Sequence, residues 1–278
     1  MAGALRTGDP LLSVRLSVDY PGRPAVLDQV EFDVYPEEVL GLIGHSGSGK
    51  STVALAILRL LELRRGRARG AILFRGRDLM GLRERDMRAL RGREIGLVLQ
   101  SPLAALNPAL RIGTLLRETW RIHAGGDGSA RIEELLQSVD LPAGKDFLAR
   151  YPNQLSVGQA QRVVIAMALM HQPALLLADE PTSALDPITQ ADILDLFGRI
   201  SQDFHTAILY ISHDLQSVAS LCHRVAILEG GVIVECGDTQ QVFQKPTHPY
   251  TRRLIEALPK RPDWAEASLS PLPAPATS

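Results

Sequence analysis

The sequence predicts an α/β fold built on a mainly parallel sheet, and three observations carry that prediction. Apolar stretches of strand length alternate with stretches whose apolar residues recur at helical spacing. One such strand runs directly into a glycine turn and then a helix, the order of a phosphate-binding loop. The chain has 278 residues, 45% hydrophobic and 22% charged. At that size it can bury roughly 70–75% of its extended surface, with no need of disulfides or structural metal.

Taken in order, Leu12, Val14, Leu16 and Val18 alternate with polar residues, as do Val30, Phe32 and Val34, and both stretches read as half-buried strands. Val39–Ile43 is a continuous apolar run ending in glycines, followed by a helix over Ser51–Leu61. Buried strands are expected at Ile95–Leu99, Leu175–Ala178 and Ala207–Ile211, and a hairpin where Ile227–Leu228 and Val232–Val234 flank Gly230-Gly231. Helical spacing marks Ile132–Val139, Val163–Leu169 and Ile193–Ile200. Residues from about 102 to 159 show no strong strand run and read as a helical insertion. The expected organisation is a tail over 1–10, a main domain over 11–236, an appendage over 237–261 and a disordered tail over 262–278. That last stretch holds Pro262, Pro271, Pro273 and Pro275 among small residues.

Charge and cysteine content exclude several functions. Thirty Lys+Arg against 31 Asp+Glu give a net charge of -1, which argues against a nucleic-acid partner. Eleven arginines lie between Arg64 and Arg93, but Asp78, Glu84, Asp86 and Glu94 interrupt them, so the run reads as a solvated face. Cys222 and Cys236 are too few for a disulfide framework or a four-cysteine cluster. No basic stretch followed by an apolar core opens the chain, and no apolar run approaches the ~20 residues of a membrane span, so neither a signal peptide nor a span is expected.

The chemistry-bearing segments begin with GHSGSGKS at 44–51, which fits G-x-x-x-x-G-K-[ST]. Its glycines let successive N–H groups wrap phosphate oxygens, and the following helix adds its positive end. Lys50 is placed to reach β- and γ-phosphates, and the Ser51 hydroxyl to ligate Mg²⁺. His45 occupies a variable position of the loop and is expected to face solvent. LLLADE at 175–180 then ends a buried strand in two carboxylates. Asp179 suits Mg²⁺ held through water, and Glu180 suits the base that deprotonates an attacking water. No N-K-x-D element for guanine is present.

LSVGQ at 155–159, upstream of LLLADEPTSALD at 175–186, resembles the signature and Walker B segments of ABC transporter nucleotide-binding subunits. The resemblance runs from about Leu11 to Leu258 with the motifs in family order. It implies a P-loop NTPase fold with a RecA-like core, an antiparallel β subdomain and a helical ABC subdomain. It also implies ATP as the nucleotide. The ATP-binding candidates are Tyr20, Gly44, His45, Ser46, Gly47, Ser48, Gly49, Lys50, Ser51, Thr52 and Gln100. Tyr20 matches the aromatic that stacks on adenine, a contact worth ~1–3 kcal/mol. Gln100 matches the Q-loop glutamine and with Ser51 and Asp179 completes the Mg²⁺ candidates. Ser183, Ala184, Leu185 and Asp186 match the D-loop, and His213 the switch histidine, a catalytic candidate beside Glu180.

Ser156, Gly158 and Gln159 match the signature residues that face the ATP of a second subunit, although Val157 stands where the family has glycine. LRGREIGLVLQSPLAALNP at 90–108 and THPYTRRLIEALP at 247–259 resemble the oligopeptide, dipeptide and nickel permease ATPases. That branch implies an importer subunit for peptides, nickel or a related small solute, peripheral on the cytoplasmic face of the inner membrane. Its implied partners are a second, homologous or identical ATPase, two transmembrane permease subunits and, indirectly, an extracytoplasmic solute-binding protein. A soluble ABC ATPase outside transport and a low-activity regulatory half-site remain the alternatives.

Overall fold

The structure, a computed structural model, describes residues 8–258. The expectations for residues 1–7 and for the 262–278 tail therefore concern residues outside the described range. A four-stranded antiparallel sheet forms in the order β2-β1-β4-β5, from β1 (Leu12–Tyr20), β2 (Arg23–Val34), β4 (Arg67–Phe74) and β5 (Arg77–Asp78). The larger sheet has the order β10-β9-β3-β8-β7-β6. Its strands are β3 (Val39–Ile43), β6 (Ile95–Val98), β7 (Leu175–Asp179), β8 (Ala207–Ser212), β9 (Arg224–Glu229) and β10 (Val232–Asp238). All its pairings are parallel except β9–β10, the hairpin turning at Gly230 and Gly231 with φ of 57° and 84°.

Continuous apolar strands are explained by burial on both faces. Val39 and Ile43 of β3 join Leu176, Ala178, Ile208 and Tyr210 in one core. Leu40 and Leu42 join Leu175, Leu177, Leu209 and Ile211 in the other. The second core is closed by β1, β2 and the helix α1 (Lys50–Ile57), through Leu12, Val14, Leu27 and Val53. Toward the first core pack α4 (Ile112–Arg121), α5 (Ser129–Ser138), α7 (Val157–Ala168), α8 (Pro187–Asp203) and α9 (Leu215–Leu221). The remaining helices are α2 (Glu84–Leu90), α3 (Pro102–Ala105), α6 (Lys145–Leu148), α10 (Thr239–Gln244) and α11 (Pro249–Glu256). Between β6 and α7 the chain is helical, through α3 to α6.

Two stretches differ from the sequence expectation. Residues 64–93 were read only as a solvated face, yet they hold β4 and β5. Ile72 and Phe74 of β4 are buried against β1 while Arg67 and Arg69 stay exposed, so the arginines hide a period-2 strand. The helix after the glycine turn is shorter than Ser51–Leu61: it ends at Ile57, Arg59 takes a φ of 52°, and a separate 3-10 turn follows over Leu61–Arg64.

Among the described residues no helix is long and apolar enough to cross a membrane. The sheet order carries the functional geometry: β3, β8, β7 and β6 are parallel and consecutive, so their C-terminal ends lie side by side at one edge, where open α/β sheets place ligands.

One carboxylate of the helical insertion bridges two of the core helices it packs against. Asp140, just past α5, accepts from Arg162 of α7 at 2.7 Å and from Arg199 of α8 at 2.6 Å. Hydrogen bonds from Arg199 first, and Arg162 after it, hold the Asp140 carboxyl below its usual range. A depressed carboxyl contributes stability above its unfolded pKa and loses it as pH falls through the folded value. Asp140→Asn is therefore expected to lower the melting temperature at pH 7 by about 1–3 °C. Melting curves recorded down to about pH 3 should show that deficit disappear with acid.

Candidate functional site

The phosphate-loop segment leaves β3 at Ile43 and closes onto α1. Gly49 caps that helix with φ +105°, a left-handed conformation that favours glycine, and a Cβ there would meet Leu27 at 2.6 Å. Gly44 is constrained differently: a Cβ would stand 2.4 Å from the Leu228 carbonyl oxygen of β9. The turn is thus pressed between β2 and β9.

The loop is organised by its own lysine. Lys50 is 4% exposed and its Nζ donates to the carbonyls of Gly44 (2.9 Å) and His45 (3.0 Å). The same Nζ lies 3.6 Å from Glu180 Oε1. Burial pulls the Lys50 pKa down, and the Glu180 and Asp179 carboxylates only partly offset it. A buried cation with this balance gains when an anion replaces lost water.

Glu180 is the meeting point of four strand ends. It follows β7, its φ is 48°, and its N–H donates to the Ile211 carbonyl of β8 at 2.9 Å. A left-handed glutamate costs about 1–3 kcal/mol and persists only where the surroundings hold it, a pattern that clusters at functional sites. Its Oε2 accepts from Gln100 Nε2 at 3.2 Å, and its Oε1 lies 3.2 Å from His213 Nδ1. Gln100 stands two residues past β6, and His213 one residue past β8. The next carboxylate, Asp179, accepts from the Ser51 hydroxyl at 3.1 Å. Burial pushes the Asp179 pKa up, against the Ser51 hydrogen bond that lowers it.

A cleft of about 680 Å³ opens over this cluster, lined by Tyr20, Ser46, Gly47, Gly49, Lys50, Ser51, Thr52, Gln100 and Glu180 among others. Tyr20, at the end of β1, forms its wall, braced by Gly66, where a Cβ would meet the ring at 2.8 Å. Gly44, His45 and Ser48 are not part of that lining. His45 is exposed, as expected for a variable position, and its backbone N–H donates instead to the Tyr250 hydroxyl at 3.3 Å. The Ser48 hydroxyl is buried without a hydrogen-bond partner. Sequence reasoning missed Arg23, Arg64 and Arg65, which also line the cleft. For Arg64 and Arg65 the signal is the arginine-rich stretch, which reads in the sequence as a solvated face; Arg23 carries no such signal.

The signature segment sits elsewhere. Ser156 caps α7: its Oγ accepts from the Gln159 N–H at 3.1 Å, while Gln159 Oε1 accepts from the Ser156 N–H at 3.2 Å. This reciprocal box fixes the helix start. Asp186 caps α8, accepting from the N–H groups of Ile188 and Thr189, both at 3.1 Å. Ahead of it, Ser183 Oγ donates to the Glu180 carbonyl at 3.1 Å, Ala184 follows, and Leu185 packs on the core. Among the described residues, no hydrogen bond or ion pair joins Ser156, Gly158 or Gln159 to Lys50, Asp179, Glu180 or His213. Val157 is 39% exposed at the first turn of α7.

Comparison with known proteins decides the family. The profile described as "ABC transporter" matches residues 27–183, and that described as "Oligopeptide/dipeptide transporter, C-terminal region" matches residues 234–275. The chain belongs to the ABC transporter family. A protein of Brucella abortus named putative peptide import ATP-binding protein is 41% identical, over 95% of this chain and 81% of its own length. The oligopeptide transport ATP-binding protein OppD of Escherichia coli is 37% identical, over 96% and 81%. The structure of cbiO1 from Clostridium perfringens, described as part of an ABC transporter complex, has a TM-score of 0.74 at 25% identity, covering 90% of this chain and 96% of that one. A dimeric ATP-binding cassette in a post-hydrolysis state with ADP and Pi has a TM-score of 0.70 at 26% identity, covering 82% and 98%. This ABC ATPase hydrolyses ATP to drive transport across a membrane, with membrane permease partners and a second ATPase.

The signature start and the D-loop helix make a close contact that can be tested without ligand. A Cβ on Gly158 would stand 2.7 Å from Thr189 Cγ2. Gly158→Ala is expected to destabilise the protein by about 1–3 kcal/mol. Thr189→Ser deletes that methyl yet keeps the hydroxyl that donates to Asp186 at 2.6 Å. Adding it should restore most of the loss in a double-mutant cycle followed by denaturant unfolding.

Proposed function

We propose that the chain is the ATP-hydrolysing subunit of a peptide importer, and that it works as half of an ATP-bridged dimer on the cytoplasmic face of the inner membrane. The observation that carries the hydrolytic role is the convergence of Lys50, Gln100 and His213 on Glu180. The peptide reading rests on the match at 234–275 and on relatives named for peptide import. Nickel or another small solute is the alternative cargo. Two permease subunits, a second ATPase and, indirectly, a solute-binding protein complete the proposed assembly.

In this reading the adenine stacks on Tyr20 and the triphosphate lies along residues 46–52. Lys50 exchanges the Gly44 and His45 carbonyls and Glu180 for β- and γ-phosphate oxygens. That exchange relieves a buried cation and frees a Glu180 oxygen to accept a proton. Glu180 takes the proton from a water whose oxygen attacks the γ-phosphorus. The bond from that phosphorus to the β–γ bridging oxygen breaks, giving ADP and phosphate. His213, 3.2 Å from Glu180, orients the carboxylate and donates to the γ-phosphate.

Ser51, Asp179 and Gln100 offer only oxygen donors toward the phosphates, a set that fits Mg²⁺, which prefers few protein ligands beside substrate phosphates. Among the described residues no cluster of three or more His, Cys, Asp or Glu side chains competes for a metal. When bound, Mg²⁺ neutralises charge on the β- and γ-oxygens. Ser51 and Gln100 would hold it, and Asp179 through water.

Ser156 and the Gly158 N–H, at the start of α7, cap the γ-phosphate held by the other subunit. The dimer closes on ATP and opens once that phosphate is cleaved. Val157 favours one further reading, a half-site of low turnover, because an exposed valine replaces glycine at the face that meets the partner.

Glu180→Gln should keep ATP affinity within a fewfold while turnover falls at least a hundredfold, leaving a nucleotide-bound dimer visible by light scattering. Rapid steady-state hydrolysis by this variant removes Glu180 as the base, and negligible turnover by the wild-type assembly favours the half-site reading. Tyr20→Ala should weaken ATP binding about ten- to a hundredfold with the maximal rate within a fewfold. Uptake of labelled peptide, with Ni²⁺ as the comparison, by vesicles carrying the assembled transporter tests the cargo.

A further inference from the structure

The HPYT segment, singled out in the sequence as a mark of the branch, has a place in the fold that the hydrolytic scheme does not use. It begins α11, and Tyr250 reaches 205 positions back along the chain to the phosphate loop. Its hydroxyl accepts from the backbone N–H of His45 at 3.3 Å. The Gly44–His45 stretch is thereby held from several directions. The carbonyls accept from Lys50, the His45 carbonyl accepts also from the Ser48 N–H at 3.2 Å, and the His45 amide is taken by Tyr250. Without that hydroxyl the amide of His45, an exposed residue outside the cleft lining, has only solvent to satisfy it.

The helix that carries Tyr250 is anchored to the hairpin next to the loop. Glu235 of β10 accepts from the Thr247 N–H and hydroxyl, both at 2.8 Å, and from the His248 N–H at 3.1 Å. Glu229, at the end of β9, lies 3.6 Å from Arg253. The same strand presents the Leu228 carbonyl against Gly44. Hairpin, appendage and phosphate loop are therefore one packed unit, joined at its far side by the Tyr250 hydroxyl and by the edge-on approach of its ring to that of His45, 6.5 Å between centroids.

We propose that Tyr250 is a positioning residue for nucleotide binding: its hydroxyl holds the first turn of the phosphate loop through the His45 amide, so that the appendage sets ATP affinity. This rests on the reading of the cleft as the ATP site. No bond changes in this role. Loss of the hydroxyl lets the Gly44–His45 peptide rotate, and Lys50, which donates to the carbonyl of that peptide and to the His45 carbonyl after it, loses its fixed starting position.

The test compares Tyr250→Phe and Thr247→Val in the full chain, with a fluorescent ATP analogue for affinity and the assembled transporter for turnover. Tyr250→Phe should weaken nucleotide binding about three- to tenfold, the loss expected of one hydrogen bond. The maximal rate should stay within twofold, the ligand-free melting temperature should hardly move, and amide exchange at His45 should accelerate. Thr247→Val loosens the anchor yet keeps the Tyr250 hydroxyl, so it should lower the melting temperature with a smaller effect on affinity. Unchanged affinity in Tyr250→Phe, with normal binding by the wild type, overturns the proposal. So does a Thr247→Val loss as large as that of Tyr250→Phe, which would make the effect one of general docking. A wild-type chain that binds no ATP analogue removes the parent reading, and this one with it.

Discussion

A buried ammonium facing two half-buried carboxylates is the constraint around which the site is arranged. Lys50, Asp179 and Glu180 are brought together because β3 and β7 flank β8 in a parallel sheet covered on both faces. Their charges are only locally balanced: burial lowers the pKa of Lys50 and raises that of Asp179. A polyanion accompanied by a divalent cation is the type of ligand that corrects both errors at once. The strained backbone of Glu180, fixed by the β8 carbonyl, keeps this carboxylate in place.

Sheet topology turns that constraint into selectivity. Four loops leave adjacent strand ends, and each delivers one polar group: Lys50 after β3, Gln100 after β6, Glu180 after β7 and His213 after β8. None of these groups has to be held by a long loop, and Gln100, His213 and Lys50 lie 3.2, 3.2 and 3.6 Å from the Glu180 carboxylate. The antiparallel sheet adds the aromatic wall at Tyr20, and the neighbouring Arg23, Arg64 and Arg65 give the mouth of the cleft a positive cast. The helical insertion packs its apolar side on the first core, and Asp140 bridges it to α7 and α8.

Much of this was legible in the sequence, for definite reasons. The buried strands were readable because a strand covered on both faces is apolar throughout, and β3 coincides with the run Val39–Ile43. The phosphate loop and the Asp179–Glu180 pair were readable because close backbone wrapping and strand-end carboxylates impose fixed spacings. β4 was not, since its arginines mask the alternation that Ile72 and Phe74 preserve. Nor were the contributions of Arg23, Arg64 and Arg65, or the Tyr250–His45 bond: periodicity is blind to which distant surfaces fold together. The coupling of Gly158 to Thr189 is of the same kind, a steric requirement between two helices that no local pattern announces.

The separation of the signature turn from the Lys50–Glu180 cluster has a consequence for cellular economy. On the proposed reading, a lone copy holds the tools to grip and cleave a triphosphate but lacks the cap that completes the cage. Its hydrolysis rate in dilute solution should then climb as the square of its own concentration until pairs predominate. Stray subunits that never meet a permease would idle rather than drain the nucleotide pool. Tethering two copies on one membrane complex, by raising their effective concentration, would act as the ignition.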